Sequence, residues 1–166
     1  MVAGAAGGLA AAWVMSQFQT GWSNATKALE RSKKWQGRQE PNTEDSDAED
    51  ATMKTAGKIA EKVFHHPLSR EQKKKLGPVV HYAFGASIGA VYGALAEVTP
   101  QATFGAGLPY GTAVFVGADE IAVPAFGLSK PPKEYPASAH IYGLASHLVY
   151  GLSLEMARRG IRRMLD

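Results

Sequence analysis

The sequence predicts an all-α fold: a multi-pass transmembrane helical bundle of about four spans, with a polar, partly amphipathic-helical insert between the first and second spans. Three observations carry this reading. Four apolar runs, near residues 2–20, 78–98, 104–124 and 137–157, contain no Lys or Arg, and each approaches the ~20 residues that a helix needs to cross a hydrocarbon core of ~30 Å. Two of the runs echo each other, because a shift of 58 residues lays Gly85 on Gly143, Val91-Tyr92-Gly93 on Val149-Tyr150-Gly151 and Glu97 on Glu155. Small residues also recur at every fourth position, as in Gly85-x3-Gly89-x3-Gly93 and Ala139-x3-Gly143. In lipid there is little hydrophobic drive between helices, so flat small-residue faces are what lets backbones approach. Gly85, Gly89, Gly93, Gly143 and Gly151 are therefore expected at helix–helix contacts. The second and fourth helices should be parallel neighbours or should both flank the third.

The 166 residues make one domain by length. A mean hydropathy of -0.17 looks soluble, but residues 21–77 hold 12 of the 18 Lys and Arg and 9 of the 15 Asp and Glu, so a polar insert masks the apolar remainder. The net charge of +3 is mild, and the basic residues are interleaved with acids or gathered at the edges of apolar runs. That distribution argues against a nucleic-acid partner. With no cysteine, disulfides, thiolate catalysis and Cys-based zinc sites are excluded.

Taken in order, Val2 to Thr20 is rich in Ala and Gly. It reads as a retained helix rather than a signal peptide, because no basic residue precedes it. Trp22 to Gln39 carries apolar residues at near-helical spacing, with Ser23 as a candidate N-cap, and either extends the first helix or lies on the membrane surface. The acidic stretch over 40–51 cannot bury anything and reads as a flexible tether. Met53 to Phe64 is amphipathic, with Met53, Ala56, Ala60, Val63 and Phe64 on one stripe and Lys54, Lys58 and Lys62 on another. This pattern suits a helix packed on its own membrane domain, or one that docks a partner. Ser69-x-x-Gln72 is a capping-box pattern opening a short helix that Gly77-Pro78 should break. Lys73 to Lys75 stand at the entrance of the next span, within reach of anionic headgroups. The third run contains Pro109 and several glycines and should be kinked or broken. Lys130-Pro131-Pro132-Lys133 makes a stiff basic loop, and four arginines follow the fourth run.

Orientation follows from the basic loops. In a four-span arrangement the insert and the Lys130/Lys133 loop share one side and carry 14 of the 18 basic residues, which places insert 21–77 in the cytoplasm. Arg158, Arg159, Arg162 and Arg163 then fall outside, against the rule. Either one apolar run does not cross, or acidic groups or lipid hold that tail.

Several residues in the second half carry a family resemblance. They are Ala96-Glu97-Val98-x-Pro100, the Gly-rich third run ending at Pro124, Gly127-Leu128 followed by Pro131-Pro132, and His147-Leu148-Val149 with Glu155 before Arg158-Arg159. In their order and spacing, roughly over 77–163 and more weakly over 9–19, the chain resembles the YagU-like family of bacterial inner-membrane proteins, a domain of unknown function. The insert departs from that pattern, and nothing is carried onto it. The resemblance implies a bacterial inner-membrane location, an association with acid tolerance, and no catalytic residues.

Ionisable groups at membrane depth are rare and mark candidate sites. Counting ~1.5 Å per residue, His81, His140, His147, Asp119 and Glu120 can share one layer in the cytoplasmic half, whereas Glu97 and Glu155 mark the outer ends of two parallel helices. The plain reading is that these side chains hydrogen-bond helix to helix. A second is a proton or cation path, and a third is haem or metal ligation through His81 and His140. Neither a nucleophile elbow nor a phosphate loop is present. The expected function is thus that of a non-catalytic integral membrane protein without a cofactor, an accessory or structural subunit that packs against a larger complex. The alternative is a small proton- or cation-conducting bundle linked to acid tolerance. Its partners would be membrane lipids and other membrane subunits or further copies of itself.

Overall fold

A computed structural model describes residues 1–35 and 49–165 of the chain. Most of the acidic tether expected over 40–51 lies outside the described residues. Its last members are structured: Glu49 pairs with Lys73 at 3.1 Å, and Asp50 caps the next helix by accepting from Met53 N–H at 2.8 Å.

All regular structure among the described residues is helical. Helix α1 (Val2–Trp35) runs through Ser23 without a break. Helix α2 (Ala51–Phe64) ends at His65 in a left-handed conformation. Helix α3 (Arg70–Val98) opens with both hydrogen bonds of the Ser69/Gln72 capping box. A 3₁₀ segment (Pro100–Gly107) turns the chain back into α4 (Leu108–Val114), which continues as a π-helix (Phe115–Ala122) and a closing α turn (Val123–Ala125). After a short 3₁₀ turn (Pro132–Glu134), α5 (Ala137–Leu165) ends the fold.

Two sequence expectations need correcting. Gly77-Pro78 does not break the helix, because Pro78 lies inside an uninterrupted α3. Proline forfeits one backbone hydrogen bond, and α2 braces the site, since a Cβ on Gly77 would stand 3.0 Å from the Thr52 hydroxyl and 3.2 Å from Met53. The third apolar run is broken, as expected, but its α-helix starts only at Leu108 and not at 104. Gly105, Ala106 and Gly107 adopt φ of 65, 53 and 83°, a left-handed run that terminates regular structure. As expected, α3 and α5 run parallel and both flank the third run; what the sequence did not suggest is that α1 also lies between them, on the other side.

That arrangement follows from two seams of close backbone approach. Along the first, Gly4 and Gly8 of α1 lie against Gly85, Gly89 and Gly93 of α3, running antiparallel, and a Cβ on Gly89 would stand 2.5 Å from Gly4 O and 2.6 Å from Gly8 Cα. Along the second, Gly107 and Gly111 meet Gly151 and the His147 backbone of α5, while Gly143 faces the Phe115 ring. The 3₁₀ turn and α4 complete the bundle against α5 and touch α3. Between the seams sit Ala11, Ala12, Met15, Tyr92, Tyr150 and Leu154. The Tyr150 and Tyr110 hydroxyls donate to Gly85 O at 2.6 Å and Ile88 O at 2.8 Å, tying α5 and α4 to α3.

Many large apolar side chains face outward. Trp13, Val79, Phe84, Val91, Val116 and Ile141 are all exposed. Among the described residues one helix, α3, is long and apolar enough to cross a membrane, and most of its apolar length is not buried within the fold. One substitution tests the description of α1 directly. Gly21 is exposed, and a Cβ there meets nothing within 4 Å, so Gly21→Ala should stabilise the protein by about 0.5–1 kcal/mol through helix propensity. Unchanged or lower stability in detergent unfolding would mean that α1 is not continuous at Gly21.

Candidate functional site

The ionisable groups gather at two levels of the bundle. At the first, the π-helix places Asp119 and Glu120 opposite α5. A π-helix widens the turn and shifts side-chain register, and such stretches recur at functional sites. Glu120 Oε1 lies 2.8 Å from His140 Nδ1, and the other ring nitrogen, Nε2, donates to Pro132 O at 3.1 Å. Because Pro132 O can only accept, Nε2 carries a proton. The Nδ1–Oε1 contact then holds a second proton, whether as imidazolium with carboxylate or as imidazole with carboxylic acid. His147, one side chain further into the core, donates from Nδ1 to Gly143 O at 2.9 Å and stands 3.7 Å from Asp119 Oδ2. That last distance is an ion-pair distance and too long for a hydrogen bond.

His81 approaches this layer from the far side of α1. Its Nε2 lies 3.4 Å from both Ser16 Oγ and Ala12 O. It is within electrostatic range of Asp119, as are His147 and Glu120, but touches neither carboxylate. The structure thus brings Glu120 to His140 and Asp119 toward His147, with His81 bonded instead to α1. Among the described residues no three His, Asp or Glu side chains form a cluster able to hold a metal ion. His140 has both ring nitrogens engaged.

The second level corrects the expectation that Glu155 marks a helix end. Helix α5 continues to Leu165, and Glu155 lies inside the bundle, 1% exposed. Arg158 reaches it through Nε at 2.7 Å and Nη2 at 3.0 Å, and Arg159 through Nε at 2.5 Å. The Tyr92 ring packs 6.0 Å from the Arg158 guanidinium, and its buried hydroxyl stands beside Glu155 without closing a hydrogen bond of good geometry. Glu97, at the end of α3, accepts from Arg162 at 3.1 Å and from the Met1 amine at 2.9 Å. Three of the four terminal arginines are therefore paired with acids of the same chain.

Sequence reasoning missed Ser16 as the partner of His81. It also missed the tyrosine core and Arg158 and Arg159 as partners of Glu155. The last was readable, because positions three and four residues on share a helix face. No single-sequence signal announces the π-helix or the hydroxyl of Ser16 as special.

The family described as "Protein of unknown function (DUF1440)" matches residues 41–156. Comparison with curated proteins and with solved structures finds no match.

Proposed function

The chain belongs to the DUF1440 family of unknown function, and from its own geometry we propose a non-catalytic integral membrane protein, an accessory subunit that packs against a larger membrane complex. The likeness to YagU-like proteins supports a bacterial inner membrane. The observation that carries the reading is the distribution of side chains. The interior is mostly Gly, Ala, Tyr and paired charge with a few larger apolar side chains (Met15, Phe115, Leu154), while many large apolar side chains point outward along α1, α3, α4 and α5. Small interiors and apolar exteriors are what lipid selects. On this reading α1, α3, the α4 rod and α5 each cross the bilayer, with α2 and the 126–136 loop on the cytoplasmic side. Pairing of the terminal arginines lessens the conflict with the positive-inside rule, since neutralised arginines weigh less at the far side. The glycine faces no longer argue for a partner, because the chain uses them itself. The partner-facing surface is instead the apolar exterior.

The native mass of the solubilised protein tests this. A fixed heteromeric complex agrees with the proposal, and a lone symmetric homo-oligomer sinks it. The conducting alternative draws support from one observation, the His140–Glu120 and His147–Asp119 pairs against a π-helix, since histidine exchanges protons near neutral pH. Glu120→Gln separates the two. As helix-to-helix glue, Glu120 should contribute about 1 kcal/mol of stability, and its loss should leave proton permeability in liposomes unchanged. If the variant instead abolishes a pH-dependent leak at unchanged stability, the bundle conducts.

A further inference from the structure

Helix α2 is only half used by the fold. Met53, Ala56 and Ala60 are buried against α3, but the adjoining flank is not: Ile59, Val63 and Phe64 are 45, 64 and 71% exposed. Ile59 and Phe64, with Leu76 and Val79 of α3, wall an open, almost wholly apolar groove of about 370 Å³. The groove lies where α3 passes from Lys73-Lys74-Lys75 into its apolar length, so its floor continues the apolar exterior of the one helix able to cross a membrane. Basic side chains stand on another face of α2, at the i, i+4, i+8 positions Lys54, Lys58 and Lys62. Residues 49–76 hold seven Lys and Arg against four Asp and Glu. Two of these lysines are engaged within the chain: Lys58 donates to Phe126 O at the end of the α4 rod, and Lys73 to Glu49. They fix α2 in place and leave Lys62, three residues on from Ile59, and Lys75, four before Val79, bordering the apolar flank.

We propose that this flank of α2 and its groove with α3 form a docking surface for an anionic bilayer, with Ile59, Val63 and Phe64 entering the boundary between headgroups and acyl chains and the lysines meeting lipid phosphates. The proposal rests on the membrane reading above and adds a lipid preference that membrane insertion alone does not require. An apolar flank beside a basic face is the pattern of an interfacial helix, and each lysine near an anionic surface adds attraction that neutral lipid does not supply. A protein partner would need the lysines to be matched by acids of its own. A bilayer containing anionic lipid supplies both chemistries at the depth where the groove opens.

The absence of cysteine makes the test clean. Full-length Val63→Cys and Glu61→Cys variants, both at exposed positions, are labelled with an environment-sensitive fluorophore and reconstituted into vesicles of phosphatidylcholine, with or without phosphatidylglycerol. The probe at 63 should be quenched by lipids brominated on the acyl chain, severalfold more strongly when phosphatidylglycerol is present. The probe at 61 should stay open to aqueous iodide. Adding Lys62→Glu and Lys75→Glu should remove the preference for phosphatidylglycerol without releasing the protein from the vesicles. Alkaline extraction of the same vesicles separates the failures. Release of the protein overturns the membrane reading and this proposal together. Retention with residue 63 open to iodide in both lipids, or shielded equally in both, or shielded only as protein density rises, overturns the docking surface alone. Shielding that rises only with protein density would assign the groove to a second copy.

Discussion

Glu155→Ala should lower the unfolding free energy of the bundle by about 3–5 kcal/mol, the cost of removing one partner from a buried ion cluster. The carboxylate is 1% exposed and accepts from Arg158 twice and Arg159 once. Without it the Arg158 guanidinium, whose side chain is 13% exposed, loses its hydrogen-bonded counter-charge and is left against the Tyr92 ring. Moving Arg158 out to water would disturb the packing of α5 against α1, where a Cβ on Gly7 would already stand 3.2 Å from Leu154 O. The argument predicts a recovery as well as a loss. Replacing Glu155 and Arg158 together by Met removes the charge with its counter-charge and should restore most of the stability, since apolar pairs of similar volume often match or exceed buried ion pairs. Denaturant titration in detergent measures both variants. A loss below about 1 kcal/mol for Glu155→Ala would show that the cluster is hydrated, and the buried description of this end of the bundle would fall.

How much of this was legible beforehand depends on which distance scale each feature lives on. The helical nature of the chain, the amphipathic α2 and the capping box at Ser69 are local patterns, and period and residue type are enough to read them. The pairing of Glu120 with His140 was reachable from depth counting, because two antiparallel helices joined by a short loop bring residues equally far from the loop to the same level. What was not legible is adjacency. The 58-residue repeat correctly relates α3 and α5 as parallel helices, but nothing in it says that α1 lies between them. That depends on Gly4 and Gly8 fitting Gly85, Gly89 and Gly93, a match between faces 80 residues apart that a reading of each run by itself does not test. Glu155 was misplaced for a related reason. The apolar run stops at Ala157, but the helix does not, because Arg158, Arg159 and Arg162 find acids to pair with and the backbone continues to Leu165. Apolar length measures how far a helix can sit in lipid, and side-chain pairing decides where it ends. Pro78 repeats the lesson at the other end of α3, where packing by α2 overrides a local breaker.

Gly89→Leu should be among the most damaging glycine substitutions in the α1–α3 seam, with an expected loss of about 3 kcal/mol. The reason is what a side chain would meet. A Cβ at Gly89 falls 2.5 Å from Gly4 O, 2.6 Å from Gly8 Cα and 2.9 Å from Gly8 N, all backbone atoms of α1 that cannot rotate aside. The helices must separate, and separation cannot stay local. On its other flank α1 packs against α5, Ala12 and Met15 sit in the shared core, and the Tyr150 hydroxyl is bonded to Gly85 O one turn away. Gly89→Ala meets the same atoms with its Cβ alone, so it should already be harmful, in contrast to the benefit expected for Gly21→Ala. Gly160→Leu is the control, because a Cβ there meets nothing within 4 Å on the same scale; it should leave unfolding nearly unchanged. The measurement is unfolding of each variant in one detergent, together with cross-linking between cysteines placed at positions 5 and 90 to report whether α1 still lies on α3. A Gly89→Leu variant that unfolds with the parent and keeps that cross-link would show that α1 does not occupy the groove of α3. The central position of α1, and with it the inverted interior that motivates the membrane reading, would have to be abandoned.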